Sequence, residues 1–432
     1  MTDPARAHRI AIPPALEEAR SLAVALDGAD PLAGMRGRFT LPSGAGGRTL
    51  TYLAGQSLGA QPAGARAAVD AELDRWATLG VEGHFHQPGA WVEFDEPVRE
   101  PTARLVGARP GEVSTLNTLT VNLHLLMASF YRPTGPRTRI LIEAPTFPSD
   151  RYAVESQLRY HGLDPAQHLV VVRPAGADRS LDQDLLEASI RAEGDRLAMV
   201  LLAGVNYATG QRLDIERHTR AAHDVGAVTV WDLAHAVGNV ALALHDWGVD
   251  AAAWCTYKYL NAGPGAIGQL FVHERRTSDA ELPRLEGWWG NDLASRFRMA
   301  ETFEPSPGAD AWQLSTLPVL STAPLAASLE LFEEAGLAAL RTKSVALTGF
   351  LESLLDRFVP DAELLTPRRP DERGCQLSIR VPGARARRDA LEARGVVTDF
   401  REPDIIRIAP VPLYNTFLDA WTAVDALAGT TG

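Results

Sequence analysis

Ala251-Ala-Ala-Trp-Cys-Thr-Tyr-Lys258-Tyr-Leu-Asn-Ala-Gly-Pro-Gly-Ala-Ile-Gly268 reads as an apolar strand that runs into a lysine and then a glycine-rich turn. The chain has 42 lysines and arginines, yet only two of them, Lys258 and Lys343, are lysine. Arginine stays protonated in a protein, whereas a desolvated lysine amine can become neutral and attack a carbonyl. A lysine kept at the end of an apolar strand therefore points to Schiff-base chemistry, most often with pyridoxal phosphate. The competing reading is a lysine that snorkels at the rim of a buried strand. Gly263-Pro-Gly-Ala-Ile-Gly268 has the letters of a dinucleotide fingerprint but not its context. The fingerprint needs a helix starting within it, and here Pro264 is followed by the short strand-like run Gln269 to Val272. A turn joining two strands is the better reading.

Outward from this stretch, short apolar runs recur at spacings that fit βαβ units: 139–143, 169–172, 197–202, 227–231, 251–256 and 269–272. Helical patterns at 150–161, 181–193 and 214–225 lie between them. Continuous Val, Ile, Leu and Ala without alternation is the pattern of strands buried on both faces. The expected fold class is α/β, a large doubly wound, mostly parallel sheet with a smaller α+β domain behind it. Such sheets bind ligands at the carboxyl ends of their strands. Asp232 and His235 follow one run, Lys258 another, and Phe147-Pro-Ser149-Asp150 a third. Residues 114–131 begin with Ser-Thr-Leu-Asn-Thr and continue as an apolar, buried helix. Its hydroxyls and first-turn N–H groups suit a phosphate, with ordinary N-capping as the alternative.

The flanks are less informative. Residues 15–27 and 62–79 have amphipathic helical spacing. His84 and His86 lie close together, but no third ligand follows at metal spacing, so they read as loop histidines and no metal is expected. A mostly helical stretch is expected from 312 to 358, interrupted at Pro318 and Pro324, and a closing helix over 413–428. The 432 residues carry a net charge of -12, which argues against a nucleic-acid binder with a basic face. Two cysteines form no disulfide framework, which points to a reducing, cytoplasmic setting. No apolar run is long enough for a membrane span, and Met1 to Pro14 has none of the apolar character of a targeting segment.

Taken together, Gln56-Ser-Leu-Gly59, Leu119-Thr-Val-Asn-Leu-His-Leu-Leu126, Phe147-Pro-Ser-Asp150, Asp232-Leu-Ala-His-Ala-Val-Gly-Asn239, His245-Asp-Trp-Gly-Val-Asp250, Trp254-Cys-Thr-Tyr-Lys-Tyr-Leu-Asn-Ala-Gly263, Gly374-Cys-Gln-Leu377 and Arg407-Ile-Ala-Pro-Val-Pro-Leu-Tyr-Asn415 resemble the kynureninase family over nearly the whole chain. The resemblance implies a pyridoxal-phosphate enzyme of fold type I, the aspartate aminotransferase kind. It further implies an N-terminal segment (1–60) on the small domain, a large cofactor-binding domain (61–310) and a small C-terminal domain (311–432). Lys258 would carry the cofactor and move protons, with Asp232 against the pyridine nitrogen and Tyr257 on the phosphate. Leu119, Thr120, Phe147, Ser149, Asp150, Ala203, His235, Trp288 and Thr316 complete the implied cofactor set. Ser57, His84, Thr316 and Arg407 form the substrate set, Arg407 on the α-carboxylate. Part of these sets would come from the neighbouring subunit of a homodimer with composite sites.

The implied reaction is hydrolysis of the Cβ–Cγ bond of L-kynurenine, or a ring-modified kynurenine, to L-alanine and an anthranilate-type acid. The alternatives are another β-cleavage, such as β-elimination, desulfination or decarboxylation, and a silent cofactor-binding homologue. Four positions depart from the family pattern: Gln56 for asparagine, Ala203 for the serine of the animal enzyme, Ala208 for tyrosine, and Thr316 for the asparagine of the animal enzyme. Loss of the tyrosine at Ala208 would open space near the leaving group and favour a bulkier substrate, unless neighbouring Tyr207 takes its place.

Overall fold

The computed structural model describes residues 8–176, 179–299 and 301–429. Its centre is a seven-stranded sheet of β1 (Val113–Thr115), β2 (Arg139–Glu143), β3 (Leu169–Val172), β4 (Leu197–Ala203), β5 (Val228–Asp232), β6 (Ala251–Cys255) and β7 (Gly268–Val272). The spatial order is β1-β7-β6-β5-β4-β2-β3, and only β7 runs against its neighbours. Gly263 to Ile267 is indeed the turn that brings β7 back antiparallel to β6.

The apolar runs are continuous because both faces of the sheet are covered. Leu141, Val200, Leu202, Trp231, Ala252 and Trp254 feed one core. Their sequence neighbours Ile140, Ile142, Met199, Leu201, Val230 and Ala253 feed the other, together with helix α1 (Leu119–Phe130). Each large apolar side chain buried in this way contributes about 1.5–3 kcal/mol. The polar stretch before α1 is not all cap: Ser114 and Thr115 belong to β1, and the helix begins only at Leu119. Local pattern could not show this, because β1 is a strand only by pairing with β7, which lies more than 150 residues later in the chain.

The C-terminal part builds a second, four-stranded sheet from β8 (Glu363–Leu364), β9 (Leu377–Arg380), β10 (Asp399–Arg401) and β11 (Ile405–Ile408), all antiparallel in the order β8-β9-β11-β10. Its core takes in Ala19, Ala23 and Leu53 from the start of the chain. Thr51–Tyr52 pairs in parallel with Val396–Val397. The expected helical stretch after Trp312 is two helices, Val319–Ala335 and Leu337–Phe358. Pro318 does precede the first, but Pro324 lies inside it, and the second break falls at Gly336, whose positive φ of 74° a glycine adopts without strain. The closing helix starts at Phe417 rather than Leu413, behind a capping box of Thr416 and Asp419. No helix among the described residues is long and apolar enough to cross a membrane.

Candidate active site

Four strand ends and one helix start meet at a cavity of about 240 Å³ lined by Thr118, Leu119, Thr120, Phe147, Ser149, Asp150, Ala203, Val205, Tyr207, Asp232, His235, Tyr257 and Lys258. Ten residues expected on the cofactor therefore share one wall: Leu119, Thr120, Phe147, Ser149, Asp150, Ala203, Asp232, His235, Tyr257 and Lys258. Parallel strands make this convergence inevitable, because their carboxyl ends all open on the same edge of the sheet. A larger cavity of about 760 Å³ lies on the far side of the Lys258 loop, lined by Tyr52, Leu58, Asn261 and Pro264 among others. It holds no lysine and no group of converging acids, so size alone does not mark the reactive site.

Lys258 Nζ lies 3.0 Å from His235 Nε2 and 5.8 Å from the centre of the Phe147 ring. Burial first, and then the Lys258 charge, pushes the His235 imidazole well below its ordinary pKa, so it is a neutral acceptor for the lysine. The Asp232 carboxyl ends β5 with Oδ1 accepting the Ala234 N–H at 2.8 Å. At the other end of the cavity Thr118 caps α1 without a side-chain hydrogen bond, leaving first-turn N–H groups free. Thr120 Oγ1 and Ser149 Oγ stand 2.8 Å apart beside them. An amine, a ring-sized gap beside Phe147, a carboxylate and an uncapped helix start with two hydroxyls are the donor set that a phosphorylated pyridine aldehyde requires.

Gly59 holds the lysine loop in place. Its N–H donates to Tyr257 O at 2.8 Å, and a Cβ there would meet Lys258 O and Asn261 Oδ1, both at 2.3 Å. Two residues earlier Ser57 reaches the other expected cation. Arg407 is 1 % exposed and donates from Nη2 to Ser57 Oγ (3.0 Å) and Asp399 Oδ2 (2.7 Å), and from Nη1 to Tyr207 O (2.8 Å). Ser57 Oγ also donates to Asp399. Asp399 was not anticipated, and Tyr207 was expected only as a stand-in aromatic, not as a carbonyl partner of Arg407. Asp399 sits on β10 directly opposite Arg407 on β11, a pairing invisible before the strand register is known.

His84, Trp288 and Thr316 do not line this cavity. His84 and Trp288 belong instead to a surface chain of rings. His84 is 6.3 Å from Phe85, Phe85 4.9 Å from Phe297, and Phe297 5.4 Å from Trp288. Thr316 is exposed in the loop before Val319–Ala335.

Ala208 does not open the cavity either. It is buried in a turn whose N–H donates to Asn206 Oδ1 at 3.0 Å, while Tyr207 turns its ring edge to Phe147 at 5.3 Å. The aromatic position facing the cavity is filled by Tyr207, which removes the expected extra space.

Among the described residues His84 and His86 belong to no group of three ligand side chains. Among the described residues Glu112, His245 and His273 bring ligand atoms within 4.8 Å of one another. Their hydrogen bonds are already taken: Glu112 accepts from the N–H groups of Arg109 and Glu274 and pairs with His245, and His273 Nδ1 accepts from Arg275 N.

The likenesses to known proteins agree with this geometry. The Kynureninase C-terminal domain family matches residues 340–427. The kynureninase of Xanthomonas euvesicatoria pv. vesicatoria (strain 85-10) is 56 % identical over 411 residues, 94 % of this chain and 97 % of that protein. That of Xanthomonas campestris pv. campestris (strain B100) is 56 % identical over 94 % of this chain and 96 % of its own. Among solved structures, the Escherichia coli cysteine desulfurase CsdA superposes with a TM-score of 0.74 at 19 % identity, covering 92 % of this chain and 97 % of its own. C-DES, solved with glycine covalently linked to its PLP cofactor, also gives 0.74 at 19 %, over 88 % and 96 %. These two share the fold. With identity above half along nearly its full length, the chain belongs to the kynureninase family.

Proposed function

We propose that this protein is a pyridoxal-phosphate hydrolase that cleaves the Cβ–Cγ bond of L-kynurenine, giving L-alanine and anthranilate. The observation that carries the reading is the single cavity in which Lys258, Asp232, Phe147 and the open start of α1 converge, in a chain 56 % identical to kynureninases. Leu119, Thr120, Ser149 and Tyr257 would hold the phosphate, Phe147 and His235 the two faces of the ring, and Asp232 its nitrogen. When bound, the cofactor supplies an electron sink for the carbanions formed at the substrate's α and β carbons.

The chain's own residues do the rest. Arg407, already fixed by Ser57, Asp399 and Tyr207 O, offers a planar fork for the α-carboxylate. Lys258 Nζ, with neutral His235 as its acceptor, is placed to take the α proton and return it. Burial raises the Tyr257 phenol, which keeps it protonated as a hydrogen-bond donor. Tyr207 beside Phe147 keeps the leaving-group end aromatic, which favours unmodified kynurenine over a bulkier analogue.

The working unit is a homodimer with composite sites, and the cell compartment is the cytoplasm. Support for the dimer is that His84 and Trp288 lie on an exposed aromatic surface with Phe85 and Phe297, away from the chain's own Lys258. They and Thr316 then serve the partner's cavity. We retain a division into 1–60, 61–310 and 311–432, which is supported by the burial of Ala19, Ala23 and Leu53 in the C-terminal core.

Purified protein should show the visible absorption band of a lysine-bound cofactor, borohydride should fix that cofactor on Lys258 by peptide mass, and L-kynurenine should yield equimolar alanine and anthranilate. A protein that binds pyridoxal phosphate yet leaves kynurenine intact would sink the reaction but not the cofactor.

A further inference from the structure

Two carboxyl groups, Asp232 and Asp150, line the cavity, and a third, Glu143, is buried behind them. Asp232 ends β5, Asp150 sits in the first turn of the helix α2 (Pro148–Tyr160), and Glu143 ends β2. Glu143 and Asp150 are each 2 % exposed. Each keeps one buried oxygen, Glu143 Oε2 and Asp150 Oδ1, without any hydrogen-bond partner. Glu143 ends the strand next to β4, whose last residue, Ala203, pairs with Asp232 on β5. Burial first, and then the Asp232 charge, pushes the Asp150 carboxyl well above its ordinary range, so it favours the protonated form.

A glutamate is a poor choice for a purely structural role here. A glutamine of the same shape would carry no risk of a buried charge. The charged and titratable groups around Glu143 are few. Asp150 faces it from α2 and Asp232 from β5, while Lys258 and neutral His235 stand beyond them at the mouth. Val172 on β3 and Ala203 on β4 are apolar, and Arg173, the next residue after β3, is exposed.

We propose that Glu143 is a third, positioning member of the ring-nitrogen site. Together with Asp150 it stores protons while the cavity lacks its cofactor and releases them when a pyridinium docks against Asp232. This rests on the cofactor reading above. The pyridinium arrives with its own proton and a positive charge. The carboxyl O–H bond breaks, its proton leaves to water, and the negative charge stays on the carboxylate beside the ring; no electrons are exchanged. Burial pushes the Glu143 carboxyl up to about 7 in the cofactor-free protein, which puts the release in the neutral range.

The test is a proton count. Holoenzyme is stripped of cofactor and titrated with pyridoxal phosphate by calorimetry in two buffers of different protonation enthalpy. Any proton change at Lys258 is common to wild type and Glu143→Gln and cancels in their difference. Wild type should release roughly half a proton more than Glu143→Gln at pH 7 and close to one more at pH 6, following the titration of one group. Equal counts at both pH values overturn the proposal. Should Glu143→Gln fail to fold, infrared difference spectra of wild type decide: loading should erase a protonated-carboxyl C=O band, and an unchanged band overturns the idea. Wild type that binds no pyridoxal phosphate at all sinks the cofactor reading first, and this inference with it.

Discussion

The two ends of the central sheet treat a buried carboxylate in opposite ways. At the amino end of β6, Asp250 is fully buried and saturated. His223 Nε2 (2.7 Å), Thr229 N–H (2.8 Å), Arg275 (2.6 Å) and Arg276 (2.8 Å) all reach it. Burial alone would raise its pKa, but the His223 hydrogen bond and charge, with Arg276 and Thr229, hold it below the ordinary range. At the carboxyl end, Glu143 and Asp150 are as buried, have oxygens with no partner, and are pushed up. Equal burial thus gives one charged group and two proton-holding ones, and the difference is the supply of donors. The satisfied end stabilises the fold; the unsatisfied end retains polar groups whose partner is not part of the chain.

Swapping the roles is the strongest way to break this contrast. Lys258→Ala should lower kcat by at least ~10⁴-fold, since it removes both the cofactor anchor and the proton-moving amine. The thermal midpoint of the cofactor-free protein should move by no more than ~2 °C, because no carboxylate depends on that amine for its only partner. Asp250→Ala should do the reverse. Two arginines and a histidine lose their shared anion, costing about 3 kcal/mol in a urea melt. Folded protein that survives should keep its cofactor and turnover.

A milder probe is pH. Glu143 has a folded pKa of about 7 against an ordinary 4.5, so its proton is held more tightly in the folded state. Its contribution to stability is fully present below about 4.5 and is lost as pH rises through about 7. Cofactor-free wild type should therefore lose about 2 kcal/mol more than Glu143→Gln between pH 5.5 and pH 8. Parallel pH profiles for the two proteins would remove the distinction between the sheet's ends.

Much of this was legible beforehand, and the reasons differ by residue. Strand runs such as 139–143 and 169–172 are found at those bounds because their neighbours on both faces are apolar, so composition alone marks them. Lys258, Asp232 and Phe147 could be placed because strand ends of a parallel sheet share an edge. Glu143 was in plain view as the last residue of an apolar strand, and only its closeness to Asp150 and Asp232 gives it meaning. Asp399 could not be found, since it meets Arg407 through strand register. Ala208 misled for a related reason: which of two adjacent residues faces the cavity is decided by the Asn206 turn, not by their order.

That last point sets the smallest expected effect. Ala208→Tyr should leave kcat/KM for kynurenine within about twofold of wild type and cost about 1 kcal/mol, as a phenol is forced into a filled turn. Improved turnover would mean that position 208 and not Tyr207 lines the site.

The strap from Thr51 to Gly59 has a consequence for how the protein is made. Thr51–Tyr52 pairs with Val396–Val397, Ser57 meets Arg407, and Leu16–Gly28 packs in the core of Phe417–Ala428. A chain leaving the ribosome amino end first holds these early residues without partners until nearly the last segment has emerged. The central sheet can assemble during synthesis, but the carboxylate grip closes only after it. Any transcript cut short before Arg407 thus yields a chain that has its lysine and lacks the arginine meant to hold its substrate.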